Sequence, residues 1–316
     1  ASTSRAASSG RTAMRSASTT SIRRRPSSIT TRCFATYGSS GFRAFTNVHT
    51  DLSTATAAHN VAIKVDAVLP AGITAMNALT MRSDSGAQID LDLGGQTLAV
   101  ESGGLNVFGS LSNGAITSGA GSNELIFVGF VAEVDATIVD SAHGPTALTV
   151  SGGVYLNSAN TFTGPVIVNN SGTLDANHFD AIPDGADLRV NGGTLRTKWT
   201  DSGVKSFGNL WLRDRGTINS GGTGGNRFVE FDEIVLESGT IDRVDLVGDL
   251  NIQKVTDGKV TISNQRSQLP LGMSRQGKID VHEGTLVLDR FDTLVAFKNV
   301  PITVYGGRLS YVGTAS

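Results

Sequence analysis

Acidic and basic residues recur at matching positions along this chain, where they could bind or cleave a polysaccharide. Asp175 and Arg196 each lie three residues after a glycine, Gly172 and Gly193 respectively. A carboxylate can bind a sugar directly or through Ca²⁺, while a nearby basic side chain removes a proton from it. Exposed ion pairs are common and contribute little, so a solvated surface is the favoured interpretation of this pair.

A second group of acids follows further along the chain, with Asp242, Asp245 and Asp249 around Arg243. A glycoside hydrolase needs two carboxyl groups roughly 5–10 Å apart on either side of a cleft. Nothing in the sequence places these acids across a cleft, and we predict no catalytic residue. The weak candidates for ligand binding are Asp175, Arg196, Asp242 and Asp245.

Other kinds of site have little support. The five histidines show no metal-ligand spacing, and Cys33 is the single cysteine, so no disulfide within the chain and no cysteine-based zinc site can form. No phosphate-binding loop, nucleophile elbow or zinc-protease motif occurs. We therefore expect no metal and no cofactor.

A repeat positions these residues. Seven glycines, each preceded by an apolar residue three or four positions earlier, are separated by 21, 23, 23, 19, 26 and 23 residues. Such a spacing is too short for most helical repeats and suits one coil of a parallel β-helix with three short strands and three turns. The repeat glycines are Gly172, Gly193, Gly216, Gly239, Gly258, Gly284 and Gly307.

The residues after each glycine alternate in character. The first is polar, mostly threonine, and the second is aliphatic, as a strand with one buried face requires. The aliphatic column, which we expect to stack inside, is Leu174, Leu195, Ile218, Ile241, Val260, Leu286 and Leu309. A third, polar column is expected to face outward, with Asp175, Arg196, Asn219, Asp242 and Thr261.

The sequence therefore predicts an all-β fold, a parallel β-helix over residues 46–316. The 266 residues after position 50 divide into about 12 coils of about 22 residues, stacked about 4.8 Å apart, which gives a rod roughly 55 Å long. Each coil is stabilised mainly by its neighbours. The last residues follow a repeat strand directly, and we expect this chain to be part of a longer one.

The segment 148–174 resembles the autotransporter-associated β-strand repeat, a family found in bacterial surface and secreted proteins. The resemblance is carried by an Ala-Asn-Thr-Phe-Thr-Gly run, with Phe162 where the family usually has tyrosine, and by a later Gly-Thr-Leu. Ser158 and Pro165 depart from the pattern. The motif residues are Asn160, Thr161, Phe162, Thr163, Gly164, Gly172, Thr173 and Leu174.

This resemblance implies a right-handed parallel β-helix outside the cytoplasm, and it implies no catalytic site. For the Asn160–Thr163 run we favour a structural role, because asparagine and threonine side chains satisfy backbone groups at turns.

The first 45 residues differ from the rest in composition. Residues 1–50 hold eight arginines and no acid, which leaves 18 basic and 28 acidic residues beyond them. The head at 1–45 is expected to be unstructured, as an organellar leader, a linker or an artefact of the reading frame. The acidic body argues against a nucleic-acid partner, and no apolar run is long enough to span a membrane.

Three functions remain open. The first is a non-catalytic structural or adhesive segment at the bacterial cell surface or outside the cell, with a glycan or another cell's surface as partner. The second is a polysaccharide lyase or glycoside hydrolase on the same fold, which requires three or more acids and one basic residue in a groove on adjacent coils. The third is a trimeric fibre protein.

Overall fold

The computed structural model describes residues 35–38, 41–44, 48–222 and 227–312, all within a unit that runs from Cys33 to Ser316. Residues 1–34 lie outside the described residues, so the predicted lack of structure stays a prediction there. Within the last part of the predicted head, β1 (Ala35–Gly38) pairs antiparallel with β2 (Gly41–Ala44). This hairpin departs from the expectation of an unstructured segment.

The rest of the described chain winds into a parallel β-solenoid of about ten turns, close to the predicted twelve. Successive coils contribute strands to a first sheet, in which neighbouring strands pair in parallel. Its strands are β3 (Val48–His49), β4 (Asn60–Ile63), β6 (Ala75–Met81), β8 (Thr97–Ser112), β10 (Glu124–Phe127), β13 (Ala147–Val150), β15 (Val166–Asn169), β17 (Leu188–Asn191), β19 (Val204–Arg213), β21 (Arg227–Leu236), β24 (Gly248–Lys254), β26 (Arg275–Val281) and β28 (Ile302–Val304).

A second sheet is also parallel and includes the later part of β8. Its other strands are β5 (Ala67–Val68), β7 (Ile89–Asp92), β11 (Val131–Val134), β14 (Gly153–Leu156), β16 (Thr173–Ala176), β18 (Thr194–Thr197), β20 (Gly216–Asn219), β22 (Gly239–Asp242), β25 (Lys259–Ser263), β27 (Thr285–Asp289) and β29 (Arg308–Val312).

The third side of the coil is less regular than predicted. It carries β9 (Ala115–Ser118), β12 (Thr137–Ile138), β23 (Val244–Leu246) and the early residues of the long strands, with turns and loops between them. The described residues also contain a 3₁₀ turn at Leu52–Thr54 and one short helix, α1 (Phe291–Ala296). No helix in the described ranges is long and apolar enough to cross a membrane.

The predicted aliphatic column stacks inside the coil over its first half. Leu174, Leu195, Ile218 and Ile241 pair in register on successive coils, and each is at most 2% exposed. Burial of such side chains contributes roughly 1.5–3 kcal/mol each. The alternation of polar and apolar residues therefore predicted this part of the core correctly.

The column slips by two residues between β22 and β25. Ile241 pairs with Ile262, and the predicted neighbour Val260 pairs instead with Gly239. Val260 then continues a new column with Leu286 and Leu309. Because side chains alternate with a period of two, a slip of two residues leaves the same faces inside.

Leu309 corrects a further prediction. It was expected inside, yet it is 39% exposed, because β29 is the last described strand of the second sheet and no described strand pairs with its other edge. The repeat pattern reports which face a residue occupies within a coil. Burial also needs a neighbouring coil on each side.

Candidate functional site

Asp175 and Arg196 lie side by side on the outer face of the second sheet, as the repeat predicted. They pair in register, and Arg196 Nη1 lies 3.5 Å from Asp175 Oδ1. Lys198 Nζ donates to Asp175 Oδ2 at 2.5 Å and lies over the ring of Tyr155. The expectation that this face is solvated is wrong for Asp175, whose side chain is only 1% exposed beneath these neighbours. The Asp175 carboxylate forms ion pairs with Arg196 and Lys198 of the same chain.

Asp242 also faces outward, on β22, but its neighbour differs from the prediction. The two-residue slip places Ser263 beside it instead of Thr261. Ser263 Oγ donates to Asp242 Oδ1 at 2.7 Å, and Asn264 Nδ2 donates to the same oxygen. Burial acts to raise the pKa of Asp242, but the hydrogen bonds from Asn264, Ser263 and Arg243, with the charge of Arg243, together hold it below its usual value. Asp242 is therefore a structural acceptor.

Asp245 is not part of an acidic patch with Asp242. It is buried on β23, where Arg275 Nη2 lies 3.1 Å and Arg266 Nε 3.4 Å from its two oxygens. The Arg266 backbone N–H also donates to it at 2.6 Å. Burial lowers the pKa of Arg275, while the charge of Asp245 and the hydrogen bond to it act in the opposite direction. This network holds the loop before β26, and Asp249 remains exposed outside it.

The Asn160–Thr163 run has contacts that support the structural role favoured from its sequence. Asn160 is buried, accepts from the Ile138 backbone N–H at 2.7 Å and donates to the Ala181 carbonyl at 2.7 Å, so it joins three coils. Phe162 is entirely buried in the core. Thr163 donates to Asp140 through its hydroxyl and its backbone N–H.

An acidic groove between β21 and β26 was missed by the repeat analysis. A groove of about 270 Å³ on the outer face of the first sheet is lined by Asp232, Glu233 and Asp280 together with Lys278. These residues come from β21 and β26, with Asn251 and Gln253 of β24 between them. The groove could have been found by aligning the strands that precede each repeat glycine, but the variable turns hide their register.

Lys278 in this groove is stabilised in its protonated, charged form. Its ammonium donates to Asp280 at 2.6 Å, and that hydrogen bond, with the charge of Asp280, raises its pKa. Glu233 accepts from Gln253 Nε2 at 2.8 Å. A protonated lysine can orient an anionic or hydroxyl group but cannot take a proton from a substrate.

A buried lysine is the other feature that the repeat analysis missed. Lys254 is fully buried at an inward position of β24, paired with Leu236 and Val281, and its ammonium donates to the Thr256 carbonyl. Burial lowers its pKa, whereas Asp257, Glu283 and Glu237 act to raise it. Lys254 is therefore a buried ionisable group whose ammonium has a backbone carbonyl as its hydrogen-bond acceptor.

No group of three or more histidine, cysteine or acidic side chains in the described ranges could hold a metal ion. Trp199 is buried against Phe179, while the half-buried Trp211 lies beneath the guanidinium of Arg189, 5.1 Å from the ring centre. Comparison with protein-family profiles, with curated proteins and with solved structures gave no match. The function is therefore argued from the geometry of this chain.

Proposed function

We propose that this chain is a non-catalytic, structural and adhesive segment of a bacterial cell-surface or secreted protein. The observation that carries the proposal is the continuous in-register stack, in which an aliphatic column fills the coil over many turns. A stack of this kind presents outward-facing side chains at every coil along its axis. The resemblance of residues 148–174 to surface-protein repeats supports the location.

The state of the candidate acids also supports a non-catalytic role. Asp175, Asp242 and Asp245 are each held by hydrogen bonds or ion pairs within the chain. A catalytic carboxylate has to exchange a proton with substrate or attack it, so it needs an open face toward a ligand. These three carboxylates instead stabilise strands and a loop.

The experiment that tests the proposal has two readouts. Antibody labelling and protease treatment of intact cells of the source organism measure whether the segment is outside the cell. The purified protein is then presented to surfaces coated with a panel of glycans. Surface labelling together with glycan retention is the expected result, and a segment that stays inaccessible in intact cells contradicts the proposal.

A carbohydrate-active enzyme is the second candidate, and the acidic groove favours it. Three acids and one lysine on neighbouring coils match the residue types stated for such an enzyme, although the protonated Lys278 cannot act as its base. The test is depolymerisation of pectin, alginate and neutral glycans, with and without Ca²⁺. Product formation that Glu233→Gln abolishes would establish the enzyme. Glu133→Gln is the matched control, a half-buried acid on β11 of the second sheet.

A trimeric fibre is the third candidate. It requires three chains to associate through their coils, and light scattering coupled to size-exclusion chromatography measures this directly. We expect a monomer, because the described apolar side chains pack against one another in a core formed by the coils of one chain. A trimer would favour the fibre protein over the adhesive segment.

A further inference from the structure

A column of alternating basic and hydroxyl side chains runs along the edge where each coil enters the second sheet. Lys259, Thr285 and Arg308 pair in register on β25, β27 and β29. Gly216, Gly239 and Val260 pair in register, so Arg215, Ser238 and Lys259, which precede them, continue the same column. We call Arg215, Ser238, Lys259, Thr285 and Arg308 the cationic column.

A groove accompanies the first three members of the cationic column. It has a volume of about 590 Å³ and is lined by Arg215, Ser238, Lys259, Thr240 and Thr261 around two glycines, with no acid among them. The glycines leave backbone as its floor, since a Cβ on Gly239 would lie 2.3 Å from the Gly216 carbonyl oxygen. Cations and hydroxyl groups over an open floor are suited to an anionic ligand.

The two cations of this groove, Arg215 and Lys259, are exposed. Among the described residues, neither Arg215 nor Lys259 forms a salt bridge. Glu237, Asp257 and Glu283 act to raise the pKa of the buried Lys254, and none of the three lines the groove. Asp214, next to Arg215, does not line the groove.

Arg215 also keeps a conformation that favours glycine. Its φ is +64°, and the coil before it has Gly192 at the matching position, with φ of +73°. A non-glycine residue in the left-handed region costs about 1 kcal/mol or more. The backbone N–H of Arg215 donates to Ser238 Oγ at 3.0 Å, which fixes the turn in this conformation. An arginine therefore occupies a position where glycine would adopt the same backbone conformation with less strain.

The spacing of the charges sets the repeat that a matching ligand needs. Neighbouring coils are about 4.8 Å apart, so cations on every second coil recur about every 9.6 Å. This is about the length of one disaccharide in an extended polysaccharide. We propose that the cationic column binds an acidic polysaccharide with one anionic group per disaccharide, with the hydroxyl-bearing coils contacting the uncharged sugar. The proposal deepens the adhesive function and rests on it.

The test measures binding of the whole chain to three immobilised polysaccharides by biolayer interferometry. Hyaluronan carries one carboxylate per disaccharide, polygalacturonate carries one per sugar, and dextran is neutral. We expect hyaluronan to bind most tightly, with an affinity that falls as salt rises. Arg215→Gly and Lys259→Gln should each weaken it about tenfold, as loss of a charged hydrogen bond does.

Two controls separate binding from folding. Arg215→Gly is expected to melt at the same temperature as wild type or higher, because glycine relieves the positive φ. Arg243→Gly is the matched control, because Arg243 is also an exposed arginine with a positive φ, +54°, and directly follows the last residue of β22, away from the groove. This change should leave binding unchanged.

The results distinguish this proposal from the function on which it rests. Binding of hyaluronan that Arg215→Gly leaves intact overturns the cationic column, as does preference for polygalacturonate or dextran. Retention on other glycan surfaces in that case leaves the adhesive function standing. Failure of the wild type to bind any surface in the panel contradicts the adhesive function as well.

Discussion

A lysine on the inner face of the first sheet is buried among apolar side chains. Lys254 is flanked by Leu236 and Val281 on adjacent coils and is fully buried. Replacing a buried charge by an apolar side chain of similar shape is often stabilising. We expect Lys254→Met to raise the free energy of unfolding by about 1–2 kcal/mol in urea titrations. Lys64→Met, at an exposed ion pair with Asp84, should change it little.

The same lysine gives the protein a pH dependence. Because burial lowers the pKa of Lys254 below its usual 10.5, the unfolded chain binds more protons than the folded chain between the lowered pKa and 10.5. Stability therefore rises with pH across that interval. Urea titrations from pH 8 to 10.5 should show this rise in wild type and a smaller one in Lys254→Met. An equal rise in both would assign it to other groups.

The side-chain amide of Asn160 forms two buried hydrogen bonds, one through its nitrogen and one through its oxygen. Its amide nitrogen donates to the buried Ala181 carbonyl, while its oxygen accepts from Ile138. Asn160→Asp keeps the acceptor but removes the donor and buries a carboxylate. We expect a loss of about 2–3 kcal/mol in unfolding free energy. Asn170→Asp, the same change at an exposed turn, serves as control, and equal losses would contradict the role given to Asn160.

At the scale of elements, a loop depends on one buried ion pair. The segment between β25 and β26 reaches Asp245 through Arg266 and Arg275. Removing the acid leaves Arg275 buried without its partner, a change that costs about 3–5 kcal/mol. We expect Asp245→Ala to increase cleavage within residues 264–274 during limited proteolysis, detected by mass spectrometry. Asp249→Ala, at an exposed acid, should leave the cleavage pattern as in wild type.

The elements also show how far the sequence could be interpreted. The alternation after each glycine predicted the strands and their inner face, and the spacing of the glycines predicted the parallel stacking of the coils. It missed the slip at β25, since Ile262 and Val260 both satisfy the same alternation. It missed the burial of Asp175 because Lys198, two residues beyond the matching position on the next coil, covers the carboxylate. The repeat pattern could not predict the cationic column, because the column depends on the slip that places Lys259 beside Ser238.

At the scale of the whole molecule, the number of neighbouring coils determines how much each repeat contributes to the stability of the fold. Leu195 and Leu309 follow their glycines at the same distance and occupy the same face of the second sheet. Leu195 is packed between two coils and is 1% exposed, whereas Leu309 has a described coil on one side and is 39% exposed. The two leucines occupy equivalent positions in the repeat, but they differ in burial because they have different numbers of neighbouring coils.

Alanine substitution at these two leucines measures that inequality. A buried Leu→Ala change costs about 3 kcal/mol, because it removes apolar contacts and leaves a cavity. We expect a loss of this size for Leu195→Ala and less than about 1 kcal/mol for Leu309→Ala, in urea titrations followed by circular dichroism. Hydrogen exchange should show the same gradient, with slower exchange in β18 than in β29. Equal losses at the two positions would contradict the exposure of Leu309 and would mean that its side chain is covered in solution.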